Sequence, residues 1–404
     1  MAYESNIASE NAWQPGDAPS TVQVNEYDSM PDGNDTSTLP EEKEQSITEP
    51  FNTRDIRIES KSGNMNTLLA RLRNNEIDLA PDFQRQAGIW TDQNQSRLIE
   101  SLMLRIPIPA FYFDGTNTEK WLIVDGLQRL TAIRRFVVDD ELKLSGLEYL
   151  NEHEGKTFSQ LSRPLQRAIE EADIVWYLIM PGTPENVKFA VFRRINTGGL
   201  PLSAQEIRHA LNGKPVIDVI RELSESQEFK IATANGISPK RMDDRECVTR
   251  FLVFSVFSPD SYDKDDFDAF LNAGMHFLNV HNDLLDHLKT RFLRAMLAAT
   301  RIFGNDAFRK RYQRGAARFP VNKALFESWS VNLDACSDEE LALLEEKKEE
   351  LKDSFLNLMQ TNSVFDKAVT QGTGSIARVK CRFFEIKRLI RSFLDAQAYS
   401  ANKF

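Results

Sequence analysis

VDGLQRLTAIRRF, residues 124–136, is the stretch on which the architecture turns. An apolar run ends at Val124, Asp125-Gly126 supplies a tight turn, and a helix is predicted from about Gln128 to Val138. Leu130, Ile133 and Val137 recur at helical spacing and mark its buried stripe. The N–H groups at such a helix start form a local anion site, and Gly126 lets a ligand approach the backbone. Arg129 lies in the first turn, where its planar fork suits a phosphate. Asp125 cannot itself attract phosphate. Three roles are open to it: magnesium coordination, orientation of an attacking water, or a hydrogen bond to a sugar. Gln128 could position water or read a base. An ordinary Asp-Gly turn followed by a solvated arginine has the same local sequence.

Upstream, Arg54–Glu59 alternates like a short strand, and Asn64 is placed to cap a helix carrying Leu68, Leu69 and Leu72. Thr91 should cap the next helix, with Asp92 in its first turn and Leu98, Ile99, Leu102 and Ile106 buried, until Pro107 and Pro109 end it. Ala110–Phe113 and Lys120–Val124 then read as a β-hairpin around Asp114-Gly115-Thr116-Asn117, a turn of about four residues. Downstream, Asp173–Met180 (DIVWYLIM) reads as a central strand, and Thr183-Pro184-Glu185 as a helix start with Pro at the first position. That helix should stop at Asn196-Thr197-Gly198-Gly199, and Ser203-Ala204-Gln205-Glu206 is a capping box opening another. Residues 51–215 therefore read as an α+β domain with short strands. Strand signals nearly vanish over 216–404, which reads as a mainly α-helical domain; Ser337 to Glu340 is a further capping box, with Leu341, Leu344, Leu351, Phe355 and Leu358 forming an amphipathic pattern.

Composition excludes several classes. No apolar run is long enough to cross a membrane, and no basic-then-apolar leader opens the chain. Cys247, Cys336 and Cys381 are far apart, with no CxxC pair, which fits a reducing cytoplasm. His281 and His287 have the wrong spacing for one helical face, and no metal site is expected. The net charge of -10 is local: residues 1–50 hold eleven acids against Lys43 alone, so 49 acids and 49 bases remain from residue 51 onward. Residues 1–50 are expected to be disordered, as a solubilising leader or as a shield for a basic surface.

The series PDFQRQAGIW (81–90), SRLIESLMLRIPIPAFYF (96–113), VDGLQRLTAIRRF and FRRINTGGLPLSAQEIRHAL (192–211) resembles, in order and spacing, the N-terminal domain of GmrSD-type, modification-dependent restriction systems. The resemblance spans about residues 65–215. It implies a ParB/sulfiredoxin-like fold of short mixed strands with helices, and a DGQQR-type motif associated with nucleotide binding and hydrolysis. Carried over, it makes Asp125, Gln128 and Arg129 the catalytic candidates. The nucleotide-binding candidates become Gln84, Arg85, Asp125, Gly126, Gln128, Arg129, Asn196 and Thr197. The implied cofactor is a nucleoside triphosphate, with Mg2+ as an accompanying ion. The sequence departs at Leu127, where the family usually has a first glutamine, and this bears on hydrolysis more than on binding. GmrSD-type proteins often continue into an HNH-type nuclease domain, but no histidine–asparagine cluster of that kind follows residue 215. Intrinsic nuclease activity is therefore not expected, and a separate nuclease subunit is the expected partner.

Residues 289–318 contain nine bases against Asp306, and Phe308, Tyr312 and Phe319 are interleaved in FRKRYQRGAARF (308–319). Arg309, Lys310, Arg311, Arg314 and Arg318 are the candidate nucleic-acid contacts, with DNA as the expected partner. A second basic stretch runs from Arg378 to Arg391. Solvated helix faces paired with acidic segments such as Glu345 to Asp353 would look the same. The chain reads as a component of an anti-phage or restriction system, in which a nucleotide controls nucleic-acid engagement or a partner nuclease. A non-enzymatic DNA-binding adaptor with a vestigial pocket is the alternative, and a nuclease with an unrecognised site in 216–404 a third. The sequence does not specify the oligomeric state.

Overall fold

A computed structural model describes residues 57–79, 90–195 and 202–401, with side chains to 395. The acidic stretch 1–50, Gln84, Arg85, Asn196 and Thr197 lie outside the described residues.

The first half runs β1 (Ile58–Asn64), α1 (Met65–Arg73), β2 (Ile77–Asp78), α2 (Asp92–Met103), β3 (Phe111–Asp114), β4 (Trp121–Asp125), α3 (Leu127–Ile133), α4 (Arg163–Glu170), β5 (Asp173–Ile179), α5 (Glu185–Ile195) and α6 (Ala204–Leu211). The strands form one mixed sheet of order β1-β5-β3-β4-β2. β5 pairs antiparallel with β1 and parallel with β3, while β4 pairs antiparallel with β3 and parallel with β2. Period-two alternation sends Phe111, Phe113, Trp121, Ile123, Trp176 and Leu178 to one face, where the leucines of α1 and Leu130 and Ile133 of α3 bury them. Val124 and Ile179 face the other way, against Phe189, Phe192 and Ile207 of α5 and α6. This is the α+β arrangement with short mixed strands expected from the sequence.

Local departures have local causes. The strand expected from Arg54 is observed from Ile58 to Asn64, with residues 51–56 outside the described set. Thr91 caps α2 as expected, accepting the Asn94 N–H at 3.3 Å. The helix nevertheless ends at Met103, before the prolines, because Arg105 turns to φ +59 and the residue before a proline avoids helical geometry. Ile106, expected in the buried stripe, is therefore 49% exposed. The hairpin connection spans residues 115–120 rather than about four, with Asp114 and Asn117 carboxyl and amide oxygens accepting backbone N–H groups within it. β5 is internal but not buried on both faces: Asp173 and Val175 are exposed because α5 and α6 cover only part of the second face. After Ile133 the helix widens into a π-helical turn over Arg134–Val138.

The second half is helical: α7 (Lys214–Glu225), α8 (Gln227–Ala232), α9 (Asp243–Val256), α10 (Phe267–Val280), α11 (Leu285–Phe303), α12 (Lys323–Asp334), α13 (Asp338–Glu346), α14 (Lys348–Thr361), α15 (Ser363–Thr370) and α16 (Ile376–Ala401). The amphipathic pattern from Leu341 to Leu358 is split between α13 and α14 at Lys347, whose φ of -95° and ψ of 20° leave the helical range. Its core is aromatic, with Phe229, Phe251, Phe292, Phe326 and Trp329 buried together. Among the described residues, no helix is long and apolar enough to cross a membrane.

A charged cluster lies inside this apolar core. Glu327 is fully buried and accepts from Arg250 Nη1 at 3.1 Å and from Arg382 Nε at 2.8 Å. Arg250 Nε also donates to Glu246 at 2.9 Å, and Lys323 Nζ lies 2.7 Å from both Glu246 and Asp243. Three cations thus meet three carboxylates. Burial alone would raise the Glu246 carboxyl, but Lys323 and Arg250 outweigh it and hold it well below the usual carboxylate range.

Removing one member strands the rest. Glu327→Ala leaves two buried guanidinium groups without their shared partner and should cost about 3–5 kcal/mol in denaturant unfolding at neutral pH; a loss near zero would show that the cluster is not structural. Glu246, with its folded-state pKa depressed, contributes stability that is complete above the ordinary carboxylate range and is lost as pH falls below it. Between about pH 5 and pH 3, unfolding free energy should therefore fall less steeply in Glu246→Gln than in the wild type.

Candidate functional site

The Asp125 turn is held from three directions. Gly126 has φ +98, and a Cβ there would lie 2.6 Å from Phe111 Cδ1 and 3.2 Å from Arg129 Nη2. Glycine is required both by the backbone and by the crowding. Asp125 Oδ2 accepts from Arg129 Nη2 at 2.8 Å, one helical turn on. The same guanidinium donates to the carbonyls of Pro109 and, at 3.2 Å, Ala110, and lies over the Phe111 ring at 4.9 Å. Arg129 therefore points to the entrance of β3. Its fork is engaged by groups of the chain itself.

Electrostatics at the turn follow from burial. Burial raises the Asp125 carboxyl above its ordinary range, against the opposing pull of Arg129 and the Gly126 N–H. Across the sheet, Asp125 is the register partner of Tyr112, and Tyr112 pairs in turn with Tyr177. The two tyrosine rings stack, with centroids 4.8 Å apart and planes 15° from parallel. Burial first, then Tyr177 and Asp125, push the Tyr112 hydroxyl upward. Sequence reasoning missed this pair. The signal was present in the alternation of β3 and β5, but pairing the two needed the parallel register.

Gln128 reaches back along the chain: its Oε1 accepts the Trp90 N–H at 3.2 Å. The motif is thereby fastened to the residue that follows the stretch containing Gln84 and Arg85. Leu127 is half-buried and packs against the main core of the first half, so it faces apolar side chains. A second polar group was also missed. Lys188 of α5 is buried, with Nζ 2.6 Å from Thr116 Oγ1 and 3.3 Å from Asp114 Oδ2, and it locks the hairpin loop onto α5.

The basic loop between α11 and α12 sorts its residues differently from expectation. Arg309 is corrected from a nucleic-acid contact to a structural residue: it is 7% exposed and donates to the carbonyls of Asn305, Phe319 and Thr233. Arg311 is largely internal too, held by the Ala316 and Ala317 carbonyls and Asp306. Lys310 lies 5.5 Å from the Phe319 ring centre, and Arg314 pairs with Asp353 while staying exposed. Arg318 is also exposed. Phe308 is core, and the half-buried Tyr312 donates its hydroxyl to Asp366 at 2.5 Å, leaving Phe319 as the exposed ring of the three. In the second basic stretch, Arg382 is fully buried in the Glu327 cluster. Among the described residues, no group of three or more His, Cys, Asp or Glu side chains is placed to hold a metal ion.

Gly126→Ala forces an L-residue into a left-handed conformation and a contact that must shift. It should lower stability by about 1–3 kcal/mol in urea unfolding, and an unchanged midpoint would contradict the turn geometry.

Residues 66–212 match the family model described as GmrSD restriction endonuclease, N-terminal domain. The match ends at Asn212, one residue after α6. No curated protein matches the chain.

Proposed function

We propose that the chain is a restriction-system component whose first half binds a nucleoside triphosphate at the Asp125–Arg129 turn and thereby controls engagement of nucleic acid by the helical half. The observation that carries this reading is the strand-to-helix turn itself, inside the matched stretch: a required glycine, a helix start, and a partly buried carboxylate with a raised pKa. The first N–H groups of α3 have no carbonyl one turn earlier in the helix and can face a phosphate. Asp125 is the carboxylate at this turn that would meet an accompanying Mg2+. Arg129 acts through it, fixing its orientation from the β3 side, and Gln128 holds the neighbouring chain at Trp90. Gln84, Arg85, Asn196 and Thr197 complete the proposed nucleotide set.

The second reading, a DNA-binding adaptor without turnover, is favoured by Leu127. Its packing into the core removes a polar side chain from the motif, while Arg129 is engaged internally. A partner nuclease fits either reading, and DNA is the partner that a restriction-system domain suggests.

Calorimetry of the full chain with each of the four nucleoside triphosphates, with and without Mg2+, tests the proposal; no uptake of any of them overturns it. Asp125→Asn should weaken binding roughly tenfold or more when Mg2+ is present and should not weaken it in chelator, where the carboxylate only repels phosphate. Phosphate release with and without DNA separates turnover from the adaptor reading.

A further inference from the structure

The loop from Gly304 to Asn322 does more than display charge. With α12 and α14 it encloses a cavity of about 350 Å3, at the small end of ligand-sized pockets. Its walls include Phe303, Phe308, Trp329 and Phe355. Trp329 meets Phe303 and Phe355 edge-on, at centroid distances of 4.7 and 5.4 Å. Three cations line the same space, Arg311, Arg314 and Lys352, together with the carboxylates Asp306, Glu349 and Asp353. Arg311 Nε is buried and has no hydrogen-bond partner. The Arg314–Asp353 pair at the mouth is more than half exposed on both sides, so it is weakly held and can open. Gly315 has φ +74, and nothing lies within 4 Å of where its Cβ would be, so the loop is not packed shut there.

Aromatic walls favour a flat ring, an anion attached to it can exchange for the carboxylates that now pair the cations (Asp306 on Arg311, Asp353 on Arg314, Glu349 on Lys352), and a released carboxylate can accept N–H donors on the ring edge. We propose that this cavity takes the base of a nucleotide whose phosphate lies against Arg314 and Lys352. The proposal rests on the reading that the helical half engages nucleic acid, and it relocates base contact from Phe319 on the loop surface to a pocket beneath it. The same chemistry is offered by a free nucleotide and by an unpaired base within a strand.

The test is titration of the full chain with a single-stranded oligonucleotide, with an abasic strand of equal length and phosphate number, and with nucleoside monophosphates. The intact strand should bind about tenfold more tightly than the abasic one. Leu356→Trp, which fills the cavity, should reduce the intact strand to the abasic level, and Arg314→Ala should weaken intact strand and monophosphate alike. Lys214→Ala, on the exposed start of α7, should change neither. Equal binding of intact and abasic strands, together with no monophosphate binding, overturns the proposal; so does a folded Leu356→Trp protein that binds as the wild type does. If Leu356→Trp does not fold, Arg314→Ala and the abasic comparison decide alone. Monophosphate binding without strand binding, abolished by Leu356→Trp, supports the pocket and removes the nucleic-acid reading. The strand titrations are run without nucleoside triphosphate or Mg2+, which keeps failure at the turn distinct from failure here.

Discussion

One guanidinium fastens the first half of the molecule. Arg129 joins the turn after β4 to the carbonyls that lead into β3, stacks on Phe111, and holds Asp125 by its carboxylate. Hairpin, turn and helix thus share a single planar hub whose donors match acceptors fixed by backbone. Lysine could not replace it, because one ammonium cannot reach two carbonyls and a carboxylate with the same planar geometry. Gly126 is the counterpart of this arrangement: the space that a side chain would need is taken by Phe111 and by Arg129 itself. The motif is therefore a structural joint before it is anything else, and any ligand at the turn meets a carboxylate already oriented.

Much of the basic character of the helical half is likewise internal. Arg250 and Arg382 neutralise Glu327 in the core, and Arg309 satisfies three carbonyls. Counting charges along the chain overstates what a nucleic acid would meet. Arg314 and Arg318 differ in being exposed, and they belong to the loop whose inner side contributes to the aromatic cavity.

The short-range features were legible because their causes are short-range. Thr91, Ser203 and Ser337 cap helices as their sequence grammar implies, and the α1 leucines fall on one buried face. The hairpin and the turn after Val124 were readable from alternation and from Asp-Gly. Long-range partners were not. That Arg129 would find carbonyls nineteen and twenty residues back, or that Tyr112 would stack on Tyr177, depends on strand order. Arg309 had the sequence appearance of a surface cation, and only the loop's path from Asp306 to the bridge with Val321 reveals its burial.

The last helix of the matched stretch shows how the two halves are joined. On α6, Gln205 is bound to Thr249 at 2.8 Å and to Arg208, and Arg208 reaches Asp268 at 2.7 Å. Ser203 donates to the Arg241 carbonyl, and Glu206 accepts from the Arg241 side chain. Thr249, Asp268 and Arg241 lie beyond Asn212, yet Gln205, Glu206 and Arg208 are buried. The family boundary is consequently not a seam at which the protein can be cut and recombined. A chimera that exchanged the helical half would leave the Gln205 amide without Thr249, the Arg208 Nη1 without Asp268 and the buried Glu206 carboxylate without Arg241 unless those three residues travelled with α6.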